Sequence, residues 1–256
     1  LENQNAGADA YNVAVGYDTG RQITTGIYNN IIGGLAGDAL TTGSRNVAIG
    51  FGSLSLEDEH GRNVAVGHST LASLNAGADA YNVAVGFEAG YAMTTGTRNT
   101  IIGAEAGDAL TTGSNNVAIG YLALSTEDAY GRNVAIGRSA LQAQDAGADA
   151  YNIAIGYNAG VSVTTGTGNT IVGGLAGDAL TTGTSNTAFG RSALSSEDTG
   201  GRAVAIGYGA LFAQNYDGNS YNVAMGYNTG TSISTGVTNT LIGGLAGDAI
   251  TTGSGN

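Results

Sequence analysis

The chain keeps returning to one short hydrophobic pattern: an Asn, a few small or β-branched apolar residues, then a Gly, as in NVAVG from Asn12 and NVAIG from Asn46. The Asn position recurs at Asn12, Asn29, Asn46 and Asn63, then at Asn82, Asn99, Asn116 and Asn133. It continues at Asn152, Asn169, Asn186 and Ala203, the one position without the amide, and at Asn222, Asn239 and Asn256. Successive returns are 17, 17, 17 and 19 residues apart, so four units build a 70-residue super-repeat. A fixed short period marks a solenoid, in which each unit buries its apolar face only by stacking on its neighbours. The pattern therefore predicts an all-β fold: a β-solenoid, drawn as a flattened parallel β-roll with two strands per 17-residue turn, in one continuous array over residues 1–256. A triangular left-handed helix, built on hexapeptide repeats, fits a 17-residue turn poorly.

Each turn opens with a five-residue strand ending in Gly: Gly16, Gly33, Gly50, Gly67, Gly86, Gly103, Gly120, Gly137, Gly156, Gly173, Gly190, Gly207, Gly226 and Gly243. A Gly at every copy implies positive φ or very close backbone approach, and places the first corner there. A shorter second strand is expected to follow, with a small residue such as Thr19, Ala36, Ser53 or Thr70. In the first two turn types Ile23 or Leu40 then precedes Thr-Thr-Gly, whose Gly (Gly26, Gly43) makes the return corner. The third type replaces this turn with an acidic stretch at Glu57-Asp58, and the fourth is two residues longer, which requires a bulge at one corner.

The first strand does not alternate apolar with polar. Val13 and Val15 share one face, while Ala14 takes the other, where second-type turns carry Ile31, Ile101, Ile171 and Leu241. A strand apolar on both faces is buried on both. One face lines the narrow core; the other calls for a partner, because long apolar stripes are rare on soluble monomers. The expected partner is the chain itself, in a parallel homo-oligomer or filament. The Asn column has two structural readings: an amide ladder running from turn to turn, or a cap on each turn's own corner.

These repeats resemble the head repeats of trimeric autotransporter adhesins and the NxAIG-type arrays of phage tail fibres. The matching stretches include NVAIGYLAL at Asn116 to Leu124, NVAIGRSAL at Asn133 to Leu141 and NTAFGRSAL at Asn186 to Leu194. The resemblance implies a trimeric β-roll acting as the stalk or head of an extracellular fibre, on a bacterial surface or a virion. The 17-residue unit is longer than the usual adhesin head rung, so the trimer geometry does not carry over in detail.

Composition narrows the picture. With 45 Gly but no Pro and no three-residue Gly period, collagen is excluded. So much Gly also argues against helices, at about 1 kcal/mol per residue relative to Ala. Eight Arg, no Lys and a net charge of −12 speak against nucleic acid as a partner and against a P-loop. The absence of Cys removes disulfides and thiolate metal sites. No apolar run reaches the length of a membrane span, so no membrane insertion is expected of this segment. Opening partway through a unit and closing on the first residue of another, the segment reads as a window cut from a longer fibre.

Candidate chemistry is sparse. His60 and His68 stand where sibling turns have Tyr130 or Gly200, and Arg138 or Tyr208, and read as surface substitutions. No residue is assigned to catalysis, to a cofactor or to a metal. Asp38, Asp108, Asp178 and Asp248 recur once per super-repeat, as do Glu57-Asp58, Glu127-Asp128 and Glu197-Asp198. Lying roughly 19 Å apart, equivalent sites cannot share one ion, and they read as a solvated acidic surface. The Asp79 and Asp149 corners are where calcium would sit if it bound. Thr pairs such as Thr24-Thr25 raise ice binding, but the third and fourth turn types interrupt them. Aromatics directly after the corner Gly (Tyr17, Phe51, Phe87, Tyr121, Tyr157, Tyr208, Tyr227) cover a neighbouring turn or grip sugars. The function expected is non-enzymatic: the rigid shaft or head of an extracellular fibre. The alternative is a binding module for glycans or ice.

Overall fold

The computed structural model describes residues 1–7 and 9–256. Among them there is no helix, and hence none long and apolar enough to cross a membrane. The chain forms two compact units, Leu1–Gly131 and Arg132–Asn256, each a parallel β-solenoid of seven turns. The first unit carries β1 (Val13–Val15), β2 (Asn30–Ile32), β3 (Val47–Ile49), β4 (Val64–Val66), β5 (Val83–Val85), β6 (Thr100–Ile102) and β7 (Val117–Ile119). The second carries β8 (Val134–Ile136), β9 (Ile153–Ile155), β10 (Thr170–Val172), β11 (Thr187–Phe189), β12 (Val204–Ile206), β13 (Val223–Met225) and β14 (Thr240–Ile242). Within each unit, strands consecutive in sequence are hydrogen-bonded neighbours, parallel and in register: Ala14 lies opposite Ile31, Ala65 opposite Ala84, and Ala205 opposite Ala224.

The middle residue of each strand faces the core. Ile31, Ala48, Ala65, Ala84 and Ile101 are wholly buried, joined by Ala36, Ala89 and Ala106 and by Ile23, Leu40, Met93 and Leu110. A three-residue strand offers one inward side chain per turn, so small residues suffice to fill so thin a core.

Of the two runs expected in each turn, the first is a regular strand and the return run is not. Positive φ recurs two and four residues after each corner Gly: Asp18 at 51° and Gly20 at 53°, Leu35 at 58° and Gly37 at 50°, Gly52 at 62° and Leu54 at 52°. β-Strand geometry needs negative φ throughout. The return run nevertheless bonds from turn to turn, with Gly20 N donating to Ala36 O (3.0 Å) and Leu35 N to Tyr17 O (2.9 Å). A left-handed Leu costs roughly 1–2 kcal/mol, and wholly buried Leu54 and Leu71 offset that by burial of the side chain.

The surplus pair of the fourth turn is confined to one segment. Asn75 N donates to Thr94 O and Arg98 N to Ala80 O, both at 2.8 Å, which places the extra residues within 76–79. In the second unit Asn215 N bonds Ser234 O and Thr238 N bonds Ser220 O, placing them within 216–219. The bulge thus leaves the strand register untouched.

Candidate functional site

The Asn column is a buried clamp with two jaws. Asn29 Oδ1 accepts from the backbone N–H of Asn46 (2.9 Å), one turn on, while its Nδ2 donates to Gly43 O (2.8 Å), at the end of its own turn. Asn82, Asn99, Asn152, Asn169 and Asn186 repeat this pairing, and each is at most 1% exposed. The two readings of the column are therefore combined: each amide closes one turn and ties it to the next. Direct amide-to-amide bonds occur at Asn239 to Asn222 (3.2 Å) and Asn256 to Asn239 (2.9 Å). Ala203 N donates to Asn186 Oδ1, but Ala203 has no side-chain acceptor to offer the next turn, and there Ser220 Oγ takes over as acceptor for Asn222 N (3.5 Å).

The corner glycines all have positive φ. At Gly33 φ is 129°, and a Cβ would stand 2.6 Å from the carbonyl of Gly50 in the next turn, so both requirements meet at one residue. The return glycines differ. Gly26 and Gly43 have no positive φ; at Gly43 a Cβ would collide with the Leu40 side chain at 2.6 Å and with His60 O, so close approach alone demands Gly there.

On the outer side of the strands, the residues flanking each buried centre form an apolar face. In the first unit Val13, Val15, Ile32, Ile49, Val83 and Ile102 are 36–57% exposed. In the second, Ile153, Ile155, Phe189 and Met225 continue the same pattern at 37–54%. Ala14, Ile31 and their equivalents take the core, and this outward face is the one left open.

Two columns of planar side chains also face outward. The column after the corner Gly stacks upon itself: Phe51 on His68 (centroids 5.5 Å apart), His68 on Phe87 (5.4 Å) and Tyr208 on Tyr227 (5.4 Å). His68 is therefore the middle plate of an aromatic stack. The second column, missed in the sequence reading, is the residue before each Asn. Tyr11 stacks on Tyr28 (5.6 Å), Arg45 lies over Tyr28 (5.6 Å) and Arg62 over Tyr81 (5.2 Å), with the Arg62 guanidinium also bonding the Tyr81 hydroxyl. Arg202 over Tyr221 (5.6 Å) repeats the pair in the second unit. The signal was legible: Tyr or Arg directly precedes Asn12, Asn29, Asn46, Asn63 and Asn82.

The Thr pairs are spent within the ladder: Thr24 Oγ1 donates to Thr41 O and Thr41 Oγ1 to Asp58 O, each at 3.2 Å. The Asp79 and Asp149 corners hold ion pairs, with Arg62 (3.1 Å) and Arg132 (3.0 Å).

The acidic third turns correct the sequence reading most sharply. Glu57, Glu127 and Glu197, expected on a solvated surface, are wholly buried. Their carboxylates turn inward because the third turn lacks the Thr-Thr-Gly corner and the following turn carries the bulge, leaving backbone N–H groups that need an acceptor. Glu57 Oε1 accepts from His60 N (3.2 Å) and Oε2 from Ala76 N (3.4 Å), the first residue of the bulge. Glu197 accepts from Gly200 N (2.8 Å), from Tyr216 N (3.4 Å) in the corresponding bulge, and from Gln214 Nε2 (2.9 Å). Burial pushes both carboxyls above their ordinary range, and these hydrogen bonds pull them only partly back. Burial likewise raises Asp38 and Asp108.

Beside Glu57 stands His60, whose Nδ1 is buried without a hydrogen-bond partner, 3.9 Å from Glu57 Oε1. No protein-family model matches this chain, and no curated protein matches it.

Proposed function

We propose that this chain is a non-enzymatic structural protein that assembles with parallel copies of itself into the shaft or head of an extracellular fibre. The observation that carries this reading is the outward aliphatic face, renewed at every turn by residues such as Val15, Ile49, Ile102, Ile155 and Met225. A surface periodic at the turn spacing is matched best by another surface with the same period, and a parallel copy supplies one. Covering each half-exposed Val or Ile contributes roughly 1 kcal/mol, and the gain accumulates with the number of turns. The resemblance to trimeric fibre repeats favours three chains. The net charge of −12 keeps the remaining surface soluble and makes nucleic acid an unsuitable partner.

Sedimentation equilibrium tests this directly: the expected mass is a multiple of 25.2 kDa, with three the favoured multiple. Ile49→Glu combined with Ile102→Glu is expected to lower the multiple without loss of β-structure by circular dichroism. A wild-type chain that sediments as a monomer at every concentration would overturn the reading.

A second reading, a glycan-binding module, draws on the stacked, exposed column of Phe51, His68 and Phe87, since aromatic faces pack well on sugar rings. Glycan-array binding that disappears in Phe51→Ala while the oligomer persists would favour it. Ice binding is less well supported, because the Thr24, Thr41 and Thr94 hydroxyls donate to backbone carbonyls.

A further inference from the structure

The acidic third turn occurs once in every super-repeat, so the chain carries its own control for what that turn needs in order to fold. In the third super-repeat the turn reads Glu197, Asp198, Thr199, Gly200, and the buried carboxylate is satisfied by Gln214 and two backbone N–H groups. In the second it reads Glu127, Asp128, Ala129, Tyr130, and Tyr130 N bonds the buried Glu127. Neither has a His, so the fold does not require one.

In the first super-repeat two things change together. The position of Gln214 is held by Leu74, which is apolar and wholly buried, so Glu57 keeps only two long hydrogen bonds, at 3.2 and 3.4 Å. The position of Gly200 is held by His60, whose Nδ1 faces the same carboxylate at 3.9 Å, too far for a hydrogen bond and shielded from water. An under-satisfied buried carboxylate and an orphaned imidazole nitrogen are thus aimed at one point. The carboxylate of Asp58 joins them: one atom from each of the three side chains lies within 4.8 Å of the others.

We propose that Glu57, Asp58 and His60 form a divalent transition-metal site; a second cluster at Glu127, Asp128 and Asp145 has carboxylates alone, and only the first offers an imidazole. Ligands 3.9 Å apart are spanned by one ion with bonds of about 2.1 Å at an open angle, so only small side-chain movements are needed. One imidazole with two carboxylates suits zinc, nickel or cobalt; calcium prefers six or more oxygens. The ion neutralises a carboxylate buried at a cost and gives the His60 nitrogen the partner it lacks. Asp58 stands partly open to solvent, and water reaching the ion from that side completes the shell. This site is independent of how copies of the chain associate.

Zinc chloride titrated into the full chain by calorimetry is the test. The expected result is one ion per chain, with affinity reduced at least about tenfold in His60→Tyr, which installs the residue the second super-repeat already carries and so preserves the fold. His68→Tyr, which alters the only other histidine, is expected to bind as wild type. With cobalt as the probe, the wild type should show d–d absorption bands that His60→Tyr lacks. Failure of the wild type to bind, equal binding by His60→Tyr, or loss of binding in His68→Tyr instead would overturn the site.

Discussion

The acidic corner at Glu57 in the first unit and the one at Glu197 in the second solve the same problem with different neighbours. Glu57 and Glu197 both accept hydrogen bonds from their own turn and from the bulge that follows, at Ala76 and Tyr216. In the second unit Gln214 completes the set, bonding Glu197, Ser220 and Asn222 together in one buried network. In the first, Leu74 and Ala80 replace Gln214 and Ser220, and Asn63 remains in place of Ala203. The difference teaches that the amide column is coupled to the rest of its own turn: the position that lacks the Asn, Ala203, is met by Ser220, whereas Gln also occurs where the Asn is kept, as Gln144 does with Asn133.

The largest effect expected from breaking this comparison is Glu197→Ala, which strands three donors in the core and should cost about 3–5 kcal/mol in chemical denaturation. Glu57→Ala, with two longer bonds to lose, should cost clearly less; equal losses would mean that Gln214 contributes nothing. Next, Asn63→Ala should cost about 2 kcal/mol, because Asn82 N loses its acceptor and Ala80 cannot stand in as Ser220 does. Adding Ala80→Ser to that variant should recover part of the loss, and a double mutant no better than the single one would refute the coupling. Leu74→Gln, which gives Glu57 the partner that Glu197 has, should stabilise the first unit by about 1 kcal/mol, read out by amide hydrogen exchange in residues 57–80.

The smallest effect expected is in pH dependence. A carboxyl whose folded pKa is raised binds its proton more readily folded than unfolded, so its contribution is fully present below the unfolded value and is lost as pH rises through the folded one. Burial raises Glu57, Glu197, Asp38 and Asp108 alike. Their share of the stability should therefore grow as pH falls from 7 towards about 4. Glu57→Gln should flatten that slope. A slope of opposite sign that the variant leaves unchanged would show that these groups do not govern it.

Much of the fold was legible because a solenoid repeats its instructions. The spacing of Asn12, Asn29 and Asn46 predicts the strand register, and the recurrence of Gly16, Gly33 and Gly50 predicts a backbone that no side chain could follow. The return run was less legible, since Leu35 and Leu54 give no local sign of positive φ; tertiary bonding to adjacent turns imposes it. Glu57 and Glu197 were misread for a related reason. An acidic pair in a turn is usually solvated, and only the position of the bulge, a full turn later in sequence, shows that backbone donors wait inside for a carboxylate.

By itself, then, the sequence determined the period, the parallel stacking and the two apolar faces of the strand, because those follow from short-range pattern repeated many times; which face lines the core was decided by the fold. The tertiary structure decided which polar groups went inside. Whether Glu57 faces solvent or the core, and whether His60 has a partner, depends on residues brought alongside from the next turn, and the free energy of burying a charge is set by those neighbours and not by the residue alone.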